Sequence, residues 1–257
     1  MRISIVTPCF NSAATLERTL ESIHSQTGDF ELEHIVIDGG STDGTVEILQ
    51  RWSDRLSFVS EPDKGQSDAL NKGFGKATGD ILAWLNADDL YLPGALGTVA
   101  DCFRRNPATK WLYGRCIIID EQGKEIRKAV TAYKNLLLRN FSHGKLLLEN
   151  FISQPATFFH KDLFDELGPV DISLNYTMDY DLWLRFAQVA KPMVIDDYLA
   201  AFLFNDTTKT GGAFEESLRE ANEVSRKYAK LAGKAWIGSL NYWFYYKRTA
   251  LIYRMMQ

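Results

Sequence analysis

The segment Trp84-Leu85-Asn86-Ala87-Asp88-Asp89 places two acidic side chains directly after an apolar run that reads as a buried strand. Adjacent carboxylates repel one another and are costly to bury unless a cation lies beside them. Hard divalent ions take carboxylate oxygen and share their coordination with substrate phosphates, which makes Asp88 and Asp89 candidate ligands for Mg²⁺ or Mn²⁺. The alternative is a cap and first-turn acid for a helix starting at Pro93, although three residues separate Asp89 from that proline. Asp38 precedes a turn, Gly39-Gly40-Ser41-Thr42-Asp43-Gly44, where a carboxylate can accept from a ligand's N–H or hydroxyl groups. It can equally satisfy its own turn, a role that suits Asp43 better. Lys64 beside Gly65 can meet a phosphate or simply be solvated.

The elements that must position these groups alternate regularly over the first hundred residues. Ile3–Thr7, Glu33–Asp38, Leu56–Ser60 and Asp80–Leu85 read as strands. Helical stretches follow them at about 14–25, 46–52 and 67–77, the first with Leu16, Leu20 and Ile23 on one face. Repeated βα units of this size predict a parallel sheet with helices on both faces, and ligands bind such sheets at the carboxyl ends of the strands. Thr7-Pro8, Asp38, Glu61–Lys64 and Asn86–Asp89 all fall there. The second half is less regular. A helix over 93–105, strands over 111–120 and 154–160, and helices over 179–190 and 213–231 are expected, with 136–151 helical or loop-like. No repeat or Pro/Gly/Ser-rich linker divides the chain, so one α/β domain with a C-terminal extension is expected.

Composition narrows the function classes. The chain has 257 residues, 46% hydrophobic and 24% charged, with a net charge of −4, which excludes wholesale disorder and argues against a nucleic-acid coat. From Arg219 onward there are eight basic residues and two acidic ones, a segment of +6, so residues 1–218 carry −10. Cys9, Cys102 and Cys116 are odd in number and far apart, as expected of reduced thiols in a cytoplasmic protein. The histidines, at 24, 34, 143 and 160, lack metal-ligand spacing. No leader pattern and no uncharged run of spanning length is seen.

Taken together, Thr7-Pro8-Cys9-Phe10-Asn11, the stretch Ile37–Thr45, Asn71-Lys72-Gly73 and Asn86-Ala87-Asp88-Asp89 resemble the family 2 glycosyltransferases. The likeness continues through Gln154–Phe159 to Met178–Arg185, covering about residues 1–205, and is strongest to bacterial members that assemble surface polysaccharides. The resemblance implies an inverting, nucleotide-sugar-dependent enzyme with a single Rossmann-like α/β domain, the glycosyltransferase A-type fold. It implies a domain over 1–212, with a nucleotide-binding half to about 110 and an acceptor half beyond, followed by a helical, basic-aromatic extension over 213–257. Thr7, Pro8, Asn11, Asp38, Asp63, Lys64 and Asp88 would hold the nucleotide, with Asp38 accepting from a ring N–H. Asp88 would face the ribose and Asp89 the metal-bound diphosphate, Asp88 also standing as a metal candidate. Asp179 matches the catalytic position, usually preceded by Glu; here Met178 stands there. Asp179 and Asp181 would point to different sides of a helix, so only one can face the sugar, and the motif favours Asp179. Arg185 suits either an ion pair or a phosphate.

Two other functions compete with sugar transfer. A sugar-phosphate nucleotidyltransferase wants a Gly-rich, basic loop after the first strand, and Thr7–Asn11 has neither glycine nor charge. A non-catalytic binding homologue would be expected to have lost one of Asp38, Asp88, Asp89 or Asp179. The expected partners are a UDP-sugar donor and a glycan or polyprenyl-diphosphate-linked acceptor, with a divalent metal (Mn or Mg) as cofactor. Residues 235–257 suit a helix lying at the inner face of the plasma membrane, a packing helix, or an oligomer interface.

Overall fold

The computed structural model describes residues 1–204 and 213–241. Four short runs rich in β-branched and aliphatic residues form its first half: β1 (Arg2–Cys9), β2 (Glu31–Asp38), β3 (Ser57–Ser60) and β4 (Ile81–Trp84). They pair in parallel in the order β3-β2-β1-β4. Helices α1 (Leu16–His24), α2 (Thr45–Arg51) and α3 (Gln66–Lys76) connect them. β1 is buried from Ile3 to Cys9, as expected of a central strand covered on both faces.

The sheet continues as β8-β6-β9-β5, a mixed half in which β8 runs antiparallel to both β4 and β6. These strands are β5 (Leu90–Tyr91), β6 (Trp111–Ile119), β8 (Thr157–His160) and β9 (Met193–Leu203), with β7 (Glu125–Ile126) pairing to β6. Helices α4 (Ala95–Arg105), α5 (Lys128–Leu138), α6 (His143–Leu148), α7 (Lys161–Leu167) and α8 (Met178–Val189) pack around it. The expected α/β architecture with a Rossmann-like parallel half is therefore present.

Three local departures from expectation have physical causes. β9 has no counterpart among the predicted elements: Asp196, Asp197 and Tyr198 lie exposed in its middle and break any alternation. Its register with β6 also shifts around Arg115. Within 136–151 a separate helix, α6, forms because Ser142 caps it, its hydroxyl accepting from the Lys145 N–H at 3.2 Å. The stretch predicted as a strand over 154–160 opens with a 3₁₀ turn, Gln154–Ala156, with proline in its first turn.

α8 is docked by aromatic stacking. Trp183 lies between Trp84 of β4 and Trp111 of β6, with ring centroids 5.4 and 6.0 Å away and planes within 20°. Offset stacks of this kind contribute about 0.5–1.5 kcal/mol each beyond burial. Two further helices, α9 (Phe214–Leu231) and α10 (Ala235–Leu240), close the described chain. Val224, Tyr228, Ala229 and Ile237 join the same apolar cluster as Trp183. The Ser225 hydroxyl donates to the Leu147 carbonyl, and the Asn241 amide to that of Leu148, each at 2.6 Å. This part of the extension is thus fastened to α6 and α8. Residues 242–257, which hold most of the aromatic tail, lie outside the described residues.

Candidate active site

A cleft of about 1050 Å³ opens at the carboxyl ends of the parallel strands, lined by Pro8, Phe10, Asn11, Gly39, Asp63, Asn86 and Asp88 among others. Asn11 ties its two walls together. Its backbone takes the left-handed conformation (φ 49°), its N–H donates to Ser41 Oγ at 2.7 Å, and its Oδ1 accepts from the Thr42 N–H at 3.0 Å.

Two residues expected to touch the nucleotide through their side chains turn elsewhere. Thr7 is fully buried, and its hydroxyl is hydrogen-bonded to His34 Nε2 at 3.0 Å, with His34 Nδ1 bonded in turn to His24 Nε2. Burial holds the His34 ring neutral, its pKa lowered to about 3. Asp38 is also fully buried and its carboxylate is saturated from within. It accepts from the N–H groups of Gly40 and Ser41, from the hydroxyls of Ser41 and Ser60, and from the Cys9 thiol. Burial raises its pKa, but these donors outweigh it and leave the group below the usual carboxylate range. Asp38 therefore holds the turn together in this structure.

Asp63 occupies the place left over. Its Oδ1 accepts from the Gly65 N–H at 2.7 Å, while Oδ2 lies 2.9 Å from where a Cβ on residue 39 would sit. A side chain at position 39 would crowd this carboxylate, so Gly39 leaves room for Asp63 at the cleft wall. Lys64 is exposed and is not part of that wall; its backbone N–H caps onto Asp68 Oδ2.

The adjacent acids divide differently from expectation. Asp89 is fully buried, its Oδ1 accepting from the Leu203 N–H at 3.0 Å and its Oδ2 from Asn86 Nδ2 at 3.2 Å. It staples the loop between β4 and β5 to the end of β9 and is not part of the cleft lining. Asp88, half-buried, lines the cleft, so of the two metal candidates Asp88 is the one that faces it. Burial raises both carboxyls, and the charge of Asp88 raises Asp89 further. An acid held in that state, facing a cleft and adjacent to a second acid, fits a divalent cation shared with a diphosphate. Among the described residues no cluster of three ligating side chains is present, so Asp88 would contribute a single carboxylate.

Asn86 completes this corner. Its Oδ1 accepts from Gln66 Nε2 at 2.7 Å, and its Nδ2 donates to Asp89 and to Gln154 Oε1. Gln154 in turn donates to the Trp84 carbonyl at 2.6 Å. Gln66, Asn86 and Asp88 also line a second chamber of about 330 Å³, which therefore adjoins the cleft.

Asp179 lines this second chamber, in the first turn of α8, with its Oδ2 accepting from Asn150 Nδ2 at 3.2 Å. Burial raises its pKa, partly offset by the Tyr180 N–H, Asn150 and Lys134. Asp181 is buried away from the chamber, held by Arg185 Nε (2.9 Å), the Tyr228 hydroxyl (2.8 Å) and Lys227 Nζ (3.3 Å). Arg185 is thereby fixed as an ion-pair residue. Sequence reasoning did not single out Gln66, Lys134 or Asn150, because none belongs to a run of chemistry-bearing neighbours.

A family model described as Glycosyl transferase family 2 matches residues 4–168. The chain belongs to the family 2 glycosyltransferases. This glycosyltransferase is 31% identical over 237 residues to an uncharacterised glycosyltransferase of Mycobacterium tuberculosis, covering 88% of this chain and 85% of that one. It is 32% identical over 202 residues to a PGL/p-HBAD biosynthesis glycosyltransferase of Mycobacterium bovis, covering 76% and 73%. Its fold matches S. aureus TarS in complex with UDP-GlcNAc (TM-score 0.67, 16% identity, 87% of this chain and 66% of that one). The longer TarS structure is spanned over only 39% of its length. The fold likewise matches the mannosyltransferase PcManGT of Pyrobaculum calidifontis with GDP-Man and Mn²⁺ (TM-score 0.69, 19% identity, 94% and 71%). The A-type fold expected from the sequence is thus present.

Proposed function

We propose that this glycosyltransferase moves a sugar from a nucleoside-diphosphate sugar to an acceptor hydroxyl with inversion at the anomeric carbon. One observation carries the reading: the Asp179 carboxylate opens on a chamber that adjoins the cleft across Asp88. The nucleotide occupies the cleft, with Pro8 and Asn11 on its wall. Asp63 Oδ2 takes the base-edge contact that the saturated Asp38 cannot, which suits a base carrying a ring N–H. A UDP-sugar is the favoured donor, consistent with the UDP-GlcNAc bound by TarS.

In the transfer step Asp179 removes the proton from the acceptor hydroxyl. The oxygen forms its bond to the anomeric carbon as the bond to the diphosphate oxygen breaks, and the leaving nucleoside diphosphate keeps that electron pair. A divalent cation held by Asp88 supplies charge neutralisation at the diphosphate when bound. General-base help of this kind is worth about 10²–10⁴-fold in rate. Asp179→Asn is expected to lose most turnover while retaining nucleotide affinity, measured as nucleoside diphosphate release over a panel of donors with Mn²⁺. Near-normal transfer by that variant would refute the assignment.

The acceptor class favoured is a glycan or polyprenyl-diphosphate-linked glycan in surface-polysaccharide assembly, used at the cytoplasmic face of the plasma membrane. Residues 1–212 form the transferase domain and 213–257 its extension. Leu231 and Trp236 are 70% and 63% exposed beside the exposed Lys230 and Lys234, a surface suited to an anionic bilayer. Among the described residues no helix is long and apolar enough to cross a membrane. Liposome flotation tests the contact, with loss of binding expected on deleting 235–257.

A further inference from the structure

The ionisable side chains facing the second chamber are Asp88 from the loop after β4, Cys116 from β6, Lys134 from α5, Tyr176 before α8, and Asp179 on α8. α9 contributes only uncharged groups to the wall. Lys134 is the sole cation among these described residues, and it is half-buried. No salt bridge or hydrogen bond engages its ammonium among the described residues, so its charge is not neutralised by a contacting carboxylate. Asn150 approaches Asp179 from the segment after α6 and donates to one oxygen of its carboxylate. The orientation of that amide follows from chemistry: an ionised carboxylate only accepts, so the NH₂ must face it. The Asn150 carbonyl oxygen is buried with no donor among the described residues, so the contact with Asp179 is the hydrogen bond that anchors this amide.

Met178 is buried and occupies the position where the family's pattern carries a glutamate, so the neighbour in sequence supplies no polar support to Asp179. We propose that Asn150 and Lys134 are the positioning residues of the transfer reaction. Asn150 holds one carboxylate oxygen of Asp179 so that the other receives the acceptor's proton, and Lys134 supplies the charge that keeps the carboxylate ionised in a largely apolar chamber. The inference rests on Asp179 being the base. Burial works against ionisation at this position, and the amide and the ammonium both work for it. Neither residue needs to touch the sugar to act in this way.

The test reads Asp179 directly and needs no substrate. The full chain is labelled with [γ-¹³C]aspartate, and the Asp179 signal is identified by its loss in Asp179→Asn. Its midpoint is then followed by NMR against pH in the wild type and in Asn150→Leu, Lys134→Met and Lys134→Arg. Removing either support is expected to move the midpoint upward by about half a pH unit or more, whereas the arginine variant stays near the wild type. Circular dichroism checks the fold, and Asn150→Ser replaces Asn150→Leu if the latter does not fold. An unchanged midpoint in both Lys134→Met and the Asn150 variant overturns the inference. Turnover of Asp179→Asn, measured separately, reports on the base assignment itself, so the two failures are distinguishable.

Discussion

Replacing Asp88 with alanine removes the carboxylate that faces the cleft, whereas replacing Asp89 with asparagine keeps an acceptor for the buried Leu203 N–H and gives up the charge and the acceptor facing Asn86. Mn²⁺-dependent UDP affinity, measured by calorimetry with and without chelator, should fall about tenfold or more in Asp88→Ala, a loss of about 1.4 kcal/mol. It should survive in Asp89→Asn. Asp89→Ala instead strips the buried Leu203 N–H of its partner and should cost about 1–3 kcal/mol of stability, visible in thermal melts. The pH dependence has a defined sign. Both carboxyls are raised in the folded chain, so ionising them opposes folding, and stability falls as pH rises from the ordinary carboxylate range through their raised values. Stabilisation by Mn²⁺ should grow over the same window. The sequence placed an acidic pair here, but that Asp89 turns to the Leu203 N–H was not legible in it. The residue that decides between them is Leu203, on a strand whose exposed acids hid it from any periodicity. By contrast, helix spacing already required Asp179 and Asp181 to face different ways, and the structure puts Asp179 on the chamber and Asp181 against Arg185.

At the scale of elements, α8 is set by its neighbours more than by its own sequence. Thr177 at its start makes no side-chain cap to the helix, and Glu220 of α9 supplies the missing acceptor. The Glu220 carboxylate accepts from the N–H groups of Asn175, Tyr176 and Thr177 and from the Thr177 hydroxyl, at 2.7–2.9 Å. One turn further on, Asp181 joins α8 to Lys227 and Tyr228 of the same helix. The helix carrying the proposed base is therefore braced from outside the segment matched by the family model. Glu220→Ala should cost about 1–2 kcal/mol by the magnitude of a lost cap and should depress turnover more than nucleotide affinity. Equal losses in both would show that the brace does not act on Asp179. The sequence predicted a helix over 213–231, but not its target. Capping across 45 positions leaves no local signal, whereas the βα units of the first half were legible because each strand and helix is bounded by its own turn residues.

Over the whole molecule, the charge asymmetry acquires a location. The basic segment from Arg219 onward places Lys227 against Asp181 of the acidic body and leaves Lys230 and Lys234 exposed beside Trp236, so part of it is spent on internal bracing. The wall that cleft and chamber share, made by Gln66, Asn86 and Asp88, has a kinetic consequence. With the donor in the cleft as proposed, its sugar would stand at the boundary of the chamber, and the acceptor site would be complete only after the donor has bound. Initial rates should then follow compulsory-order kinetics, with the nucleoside diphosphate product competitive against the donor and mixed against the acceptor. Parallel double-reciprocal lines, the mark of a glycosylated enzyme intermediate, would contradict it. Under that order the nucleoside diphosphate, left in the cleft by the donor, would leave last, and its accumulation would throttle the enzyme even at saturating acceptor.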